Sequence, residues 1–213
     1  ITLVCTTAAA GLIWAVLPPF RADALVRRAL ISEYSWLINL QKSVVADPLS
    51  PDAAARAAAL LTPGIRRNGQ LDENLLSITL TFAEDAHRRN PADFKPLRLI
   101  AQIYTAAAEQ SSGASKTAYL RQALETYKQA ITRYPGSDRM HFEAARAAED
   151  CGDPQAALDH YRAAVKIEDA FRAQFKIMYP DHPDPVSRLG QSAYQTALQK
   201  IDQLTKQQDD TAQ

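Results

Sequence analysis

Four prolines set the rhythm of this chain. Pro48, Pro91, Pro135 and Pro180 fall 43, 44 and 45 residues apart, each closing a long run with apolar residues at helical spacing. Proline has no N–H to continue a helix and disfavours helix in the residue before it. Asp47, Asn90, Tyr134 and Tyr179 are therefore the expected ends of successive helices. The intervals hold abundant alanine, the best helix former, and the whole chain has only 7 glycines. The spacing predicts an all-α fold of repeating units. The chain has 46% hydrophobic and 23% charged residues, the balance of a folded protein. With 24 basic and 24 acidic residues the net charge is zero. That excludes a strongly basic nucleic-acid binder and an acidic disordered tail, so no nucleic-acid partner is expected.

Inside the units a second spacing emerges. Ala123, Leu124, Tyr127, Ala130 and Ile131 are matched by Ala157, Leu158, Tyr161, Ala164 and Val165, always 34 residues on. Residues three and four apart share a helix face, so alanine admits a neighbouring helix and tyrosine fills the space beside it. Residues 138–153 read as the preceding helix, with Ala144, Ala145 and Ala148 on one face. Gly152 closes it, and Asp153-Pro154 starts the next with a good N-cap and first residue. The 34-residue period resembles the tetratricopeptide repeat. The resemblance implies two helical hairpins over 92–170. The first carries ten extra residues, which SSGAS (111–115) places between its helices. Residues 49–91 read as a degenerate third pair.

The ends should differ from the middle. Ile1, not Met, leads us to expect a fragment or processed product. Residues 1–17 carry no charge, and Pro18-Pro19, Arg21, Arg27 and Arg28 come next. We read 1–19 as a transmembrane helix, although the run is short of the roughly 20 apolar residues that span a bilayer; the alternative is a buried core helix. The arginines favour the cytoplasmic side for the rest of the chain. Residues 20–48 read as one linking amphipathic helix, with Tyr34, Leu37, Ile38, Val44 and Val45 on its apolar face. Residues 171–207 read as a helix extension and a capping helix, and 208–213 as a disordered tail.

No complete active site can be assembled. Two cysteines, Cys5 and Cys151, make neither a disulfide framework nor a thiolate zinc site. His87, His141, His160 and His182 lack metal-ligand spacing, so no metal and no cofactor are expected. Asp181, His182 and Asp184, among Pro180, Pro183 and Pro185, read as a stiff acidic turn. There is no Gly-rich phosphate loop and no nucleophile elbow. What remains is a groove. The tetratricopeptide resemblance implies that positions 2, 5, 9 and 12 of each first helix line it. They hold Lys95, Arg98, Gln102 and Thr105, then Arg139, Phe142, Arg146 and Glu149. We take Lys95, Arg98, Arg139, Phe142 and Arg146 as candidate binding residues for a protein, an acidic peptide or an anionic glycan. The alternative is an ordinary solvated face, since residues 136–170 hold 4 basic and 8 acidic residues.

Residues 134–190, with the extension EDAFRAQFKIMYP and the closing SRLG, resemble the C-terminal tetratricopeptide tail of bacterial O-antigen ligase-like membrane proteins. That resemblance implies the bacterial inner membrane and a parent enzyme that transfers or polymerises lipid-linked glycans, its catalytic loops lying outside these residues. A self-contained membrane-anchored scaffold is the alternative reading.

Overall fold

The computed structural model describes residues 17–31, 35–67, 69–182 and 187–211. The first elements are α1 over residues 17–30, α2 (Trp36–Ala46), α3 (Asp52–Leu61) and a 3-10 turn (Thr62–Ile65). A two-residue hairpin follows, β1 (Arg66–Arg67) and β2 (Gln70–Leu71), pairing Arg66 with Leu71 and Arg67 with Gln70. Then come α4 (Glu73–Arg89), α5 (Phe94–Glu109), α6 (Gly113–Arg133), α7 (Asp138–Asp150), α8 (Pro154–Met178) and α9 (Gln191–Thr211). The expected all-α architecture is present. The chain divides into two compact units, Ile1–Leu99 and Ile100–Gln213.

The four prolines act as their chemistry demands. α2, α4, α6 and α8 end with C-caps at Asp47, Asn90, Tyr134 and Tyr179, all with φ between −128° and −141° and ψ between 68° and 81°. That conformation is outside the helical well, where the following pyrrolidine ring pushes the residue. At three of these ends the cap N–H still donates one last helical bond, to Ala86, Ala130 and Phe175. The helix starts are as specific. Asp72, Ser137 and Asp153 accept from the N–H of Leu75, Met140 and Ala156 at 3.0, 3.2 and 3.0 Å. Gly152, at φ 77°, donates to the Glu149 carbonyl while Asp153 donates to that of Ala148, which satisfies carbonyls left open at the end of α7.

In the second unit the 34-residue matches become the core. Ala123, Ala130, Ala157 and Ala164 are fully buried, and Tyr127 and Tyr161 almost so. Ala123, Tyr127, Ala157 and Tyr161 pack in one cluster with Ala144, Ala145 and Ala148 of α7 and with Ala197 and Leu204 of α9. In the first unit Ala53, Ala54, Ala57 and Ala58 of α3 are buried, as are Leu76, Phe82, Ala83 and Ala86 of α4 against which α3 packs. Arg89 ends α4 by donating to three carbonyls, Val44 at 3.3 Å, Asp47 at 2.6 Å and Ser50 at 3.1 Å, and pairs with Asp85 at 2.5 Å. It thereby closes the open end of α2.

Several sequence expectations need correction. Most of the membrane helix expected over 1–19 lies outside the described residues, among which no helix is long and apolar enough to cross a membrane. Residues 20–48 do not make one helix. α1 and α2 are separate, and the buried side of α2 is Asn39, Leu40, Ser43 and Val44, leaving Ile38 and Val45 exposed. The polar members of that buried face bond locally, Ser43 to the Leu40 carbonyl and Asn39 to the Ser35 hydroxyl, so they can be buried. The ten extra residues of the first repeat lengthen its helices: only residues 110–112 separate α5 from α6, and 113–115 belong to α6. The tail expected to be disordered over 208–213 is helical through Thr211, held by a Lys206–Asp202 pair and by Gln208 donating to Gln155.

α8 does extend past the repeat boundary. Glu168 is fully buried and accepts from Arg172 at 2.8 Å and from the Leu189 N–H at 3.2 Å. Hydrogen bonding and the nearby Arg172 hold its carboxyl below the usual glutamate value, although burial alone would raise it.

Two substitutions test this packing. Ala157→Glu places an unpaired charge between close helices and is expected to cost about 3 kcal/mol or more. Arg89→Met removes a charged donor from three carbonyls and is expected to cost about 2 kcal/mol. Urea unfolding followed by circular dichroism measures both; an unchanged midpoint for either removes that residue from the packing scheme.

Candidate functional site

The first helices of the repeats, α5 and α7, carry the candidate residues. Lys95, exposed, and Arg98, half-buried, lie near the start of α5 within the first unit. Arg139, Phe142 and Arg146 lie on α7 in the second. Within that unit the structure separates the roles of the α7 residues. Phe142 sets its ring edge-on to Tyr161 at 5.7 Å and packs against the core. Arg139 donates to Glu143 at 3.4 Å, and Glu143 also accepts from Gln102 of α5 at 3.3 Å. The carboxylate thus ties two first helices together. Glu149 accepts from the Tyr161 hydroxyl at 3.0 Å and pairs with Lys200 of α9. Burial and this carboxylate push the Tyr161 phenol well above its ordinary value, so it stays a hydrogen-bond donor.

Arg146 is exposed and makes no ion pair among the described residues. It borders a small cleft of about 80 Å³ with Lys116, Glu109, Glu143 and Asp150 on the rim and Leu120, Tyr127 and Ala147 beneath. The rim carries both signs of charge and is not the basic patch that Lys95, Arg98, Arg139 and Arg146 suggest when read as a row. Glu109 could have been found one turn beyond Thr105. Lys116 could not, because its place beside α7 depends on how α6 folds back.

A second constellation escaped the sequence altogether. His141 and His160, 19 residues apart, bring their Nδ1 atoms to 3.2 Å across α7 and α8. His141 Nε2 lies 3.3 Å from the Pro135 carbonyl. One proton arrangement satisfies both contacts: His141 donates from Nε2 to Pro135 and accepts at Nδ1 from the His160 Nδ1–H. Both rings are then neutral. Burial lowers both pKa values, helped at His160 by the charges of His141 and Lys128. Among the described residues no group of three or more side chains could hold a metal ion. Cys151 is half-buried, and burial pushes its thiol up, away from reactivity. The His182 ring stands edge-on to Phe175 at 5.4 Å, while Asp184 is outside the described residues.

The architecture around these residues has known counterparts. The fold is tetratricopeptide-like. A crystal structure of MamA protein matches with a TM-score of 0.53 and 18% identity, over 78% of this chain and 81% of that one. TTC0263, a thermophilic TPR protein in Thermus thermophilus, matches with a TM-score of 0.51 and 18% identity, over 89% and 94%. A MamA RS-1 ArsTM double mutant matches with a TM-score of 0.52 and 11% identity, over 89% and 97%. No family model matches the chain, and no curated protein does. In these tetratricopeptide terms α7 and α8 form the best-kept repeat, and the cleft at Arg146 lies where α7 meets α5 and α6 of the preceding hairpin.

The histidine pair has a signed consequence. Both folded-state values lie below 6.5, so the pair contributes stability that is present above pH 6.5 and lost as pH falls through the lowered values. The melting midpoint is expected to fall between about pH 7 and about pH 5.5. His160→Gln should flatten that fall relative to the wild type; identical pH slopes would show that the pair does not titrate on unfolding.

Proposed function

We propose that this chain is a protein-interaction region whose second unit grips a segment of a partner protein in the cleft between α5, α6 and α7. The observation that carries this reading is the pair of cations, Arg146 and Lys116, on a rim shared with Glu109, Glu143 and Asp150. Such a rim suits a peptide bearing both charges better than a uniformly anionic glycan. Arg139 contributes by fixing Glu143, while Phe142 is taken up by the core against Tyr161. No step of this reading requires a catalytic group.

The finer reading places the region at the bacterial inner membrane, on the cytoplasmic side, as the C-terminal tail of an O-antigen ligase-like glycan ligase or polymerase. Its support is in the sequence: the charge-free run 1–17, the arginines after it, and the resemblance over 134–190. A self-contained anchored scaffold shares the groove and the membrane but not the parent enzyme. Further membrane helices encoded ahead of Ile1 would favour the ligase tail, and a start codon close to it the scaffold.

The groove is tested with two synthetic peptides, one of glutamate alone and one of alternating lysine and glutamate, titrated calorimetrically into the full chain. The mixed peptide should bind more tightly. Arg146→Glu with Lys116→Glu should weaken it about fivefold or more, since exposed pairs are each worth below about 1 kcal/mol. Equal binding by wild type and double variant would overturn the assignment of the cleft.

A further inference from the structure

The first unit exposes apolar residues where its chain enters the fold. Leu17 and Phe20 of α1 stand in water, Phe20 being 69% exposed. Across from Pro18 and Pro19 lies the turn between α2 and α3. Together they line a cleft of about 610 Å³ made by Pro18, Pro19, Ala46, Asp47, Pro48, Leu49 and Ser50. Leu49 is 71% exposed and Val45, just before it, 77%. These are large apolar side chains that the fold leaves in water at one edge.

Two cations flank that edge. Arg21 and Arg28 line an adjoining hollow with Ala24, Leu25 and Ala46. Arg27 and Arg56 are held by Asp23, at 2.8 and 2.7 Å. Arg21 and Arg28 are exposed and make no ion pair among the described residues. Unpaired arginines beside exposed leucine, proline and phenylalanine make the amphipathic composition that sits at a lipid interface.

We infer that this edge of the first unit lies on an anionic bilayer surface, with Leu17, Phe20 and Leu49 in the interface and Arg21 and Arg28 on lipid phosphates. The occupant follows from continuity and charge. Leu17 directly succeeds sixteen residues without a charge, and the fold sets Leu49 beside Pro18 and Pro19. A bilayer that receives that run therefore meets the α2–α3 turn as well. The inference rests on the membrane placement proposed above and extends it from the leading segment to the folded unit.

The test uses the full chain with Cys5→Ser and Cys151→Ser, reconstituted in phosphatidylglycerol vesicles. A nitrobenzoxadiazole probe is placed by Leu49→Cys or, as control, by Gln70→Cys. Gln70 is exposed on the hairpin beyond the far end of α3, about 15 Å from its start. Nitroxide-bearing lipids should quench the probe at 49 strongly and the probe at 70 little. Arg21→Gln with Arg28→Gln, or phosphatidylcholine in place of the anionic lipid, should reduce quenching at 49 severalfold. Flotation of the same samples reads the leading segment independently. A chain that floats with its probe at 49 no more quenched than at 70 overturns this inference and leaves the anchor standing. A chain that does not float overturns both.

Discussion

Close approach between helices is the condition on which the rest of this protein depends. Where α6, α7 and α8 pack, buried alanines recur at Ala123, Ala144, Ala145, Ala148 and Ala157, and Tyr127 and Tyr161 fill the spaces beside them. A larger side chain at Ala144, Ala145, Ala157 or Ala164 would wedge the helices apart, because native packing has no spare volume. That spacing sets the distances at which the functional groups meet. The Gln102–Glu143 bridge, the His141–His160 contact and the Tyr161–Glu149 bond all link side chains on different helices within 3.3 Å.

Buried polar groups then decide where each helix stops or continues. Arg89 closes α2 because one guanidinium serves the carbonyls of Val44 in its last turn, of the Asp47 cap and of Ser50 in the turn beyond. Glu168 does the reverse at the other end of the chain. Its buried carboxylate takes one donor from α8 itself and one from the Leu189 backbone, so α8 runs on where a repeat helix would have ended. Both devices use a charged group to join segments far apart in the chain, and both are paired well enough that the charge is not stranded.

The two surfaces with functional interest differ in kind. The cleft at Arg146 is small, mixed in charge and built from three helices, which suits recognition of a short segment rather than a broad patch. The edge formed by α1 and the α2–α3 turn is wide, apolar and fringed by unpaired arginine, which suits a surface rather than a ligand. Each lies within its own unit, so each can be altered without touching the other.

The sequence by itself determined the helical class, the four helix ends at Asp47, Asn90, Tyr134 and Tyr179, and the core positions at Ala123, Tyr127, Ala130, Ala157, Tyr161 and Ala164. These come from proline chemistry and from helical periodicity, which act over a few residues. It read the candidate groove only as a row of positions. There Phe142 proved to support the core and Arg139 to hold Glu143, while Arg146 kept an open face. The break between α1 and α2, the lengthened α5 and α6 and the helical tail were misread, because each depends on what a segment packs against. Tertiary structure alone decided the meeting of His141 with His160, the place of Lys116 beside Arg146, and the burial of Glu168. Those contacts join residues 19 to 30 positions apart, and no local periodicity encodes which faces of two helices will turn toward each other.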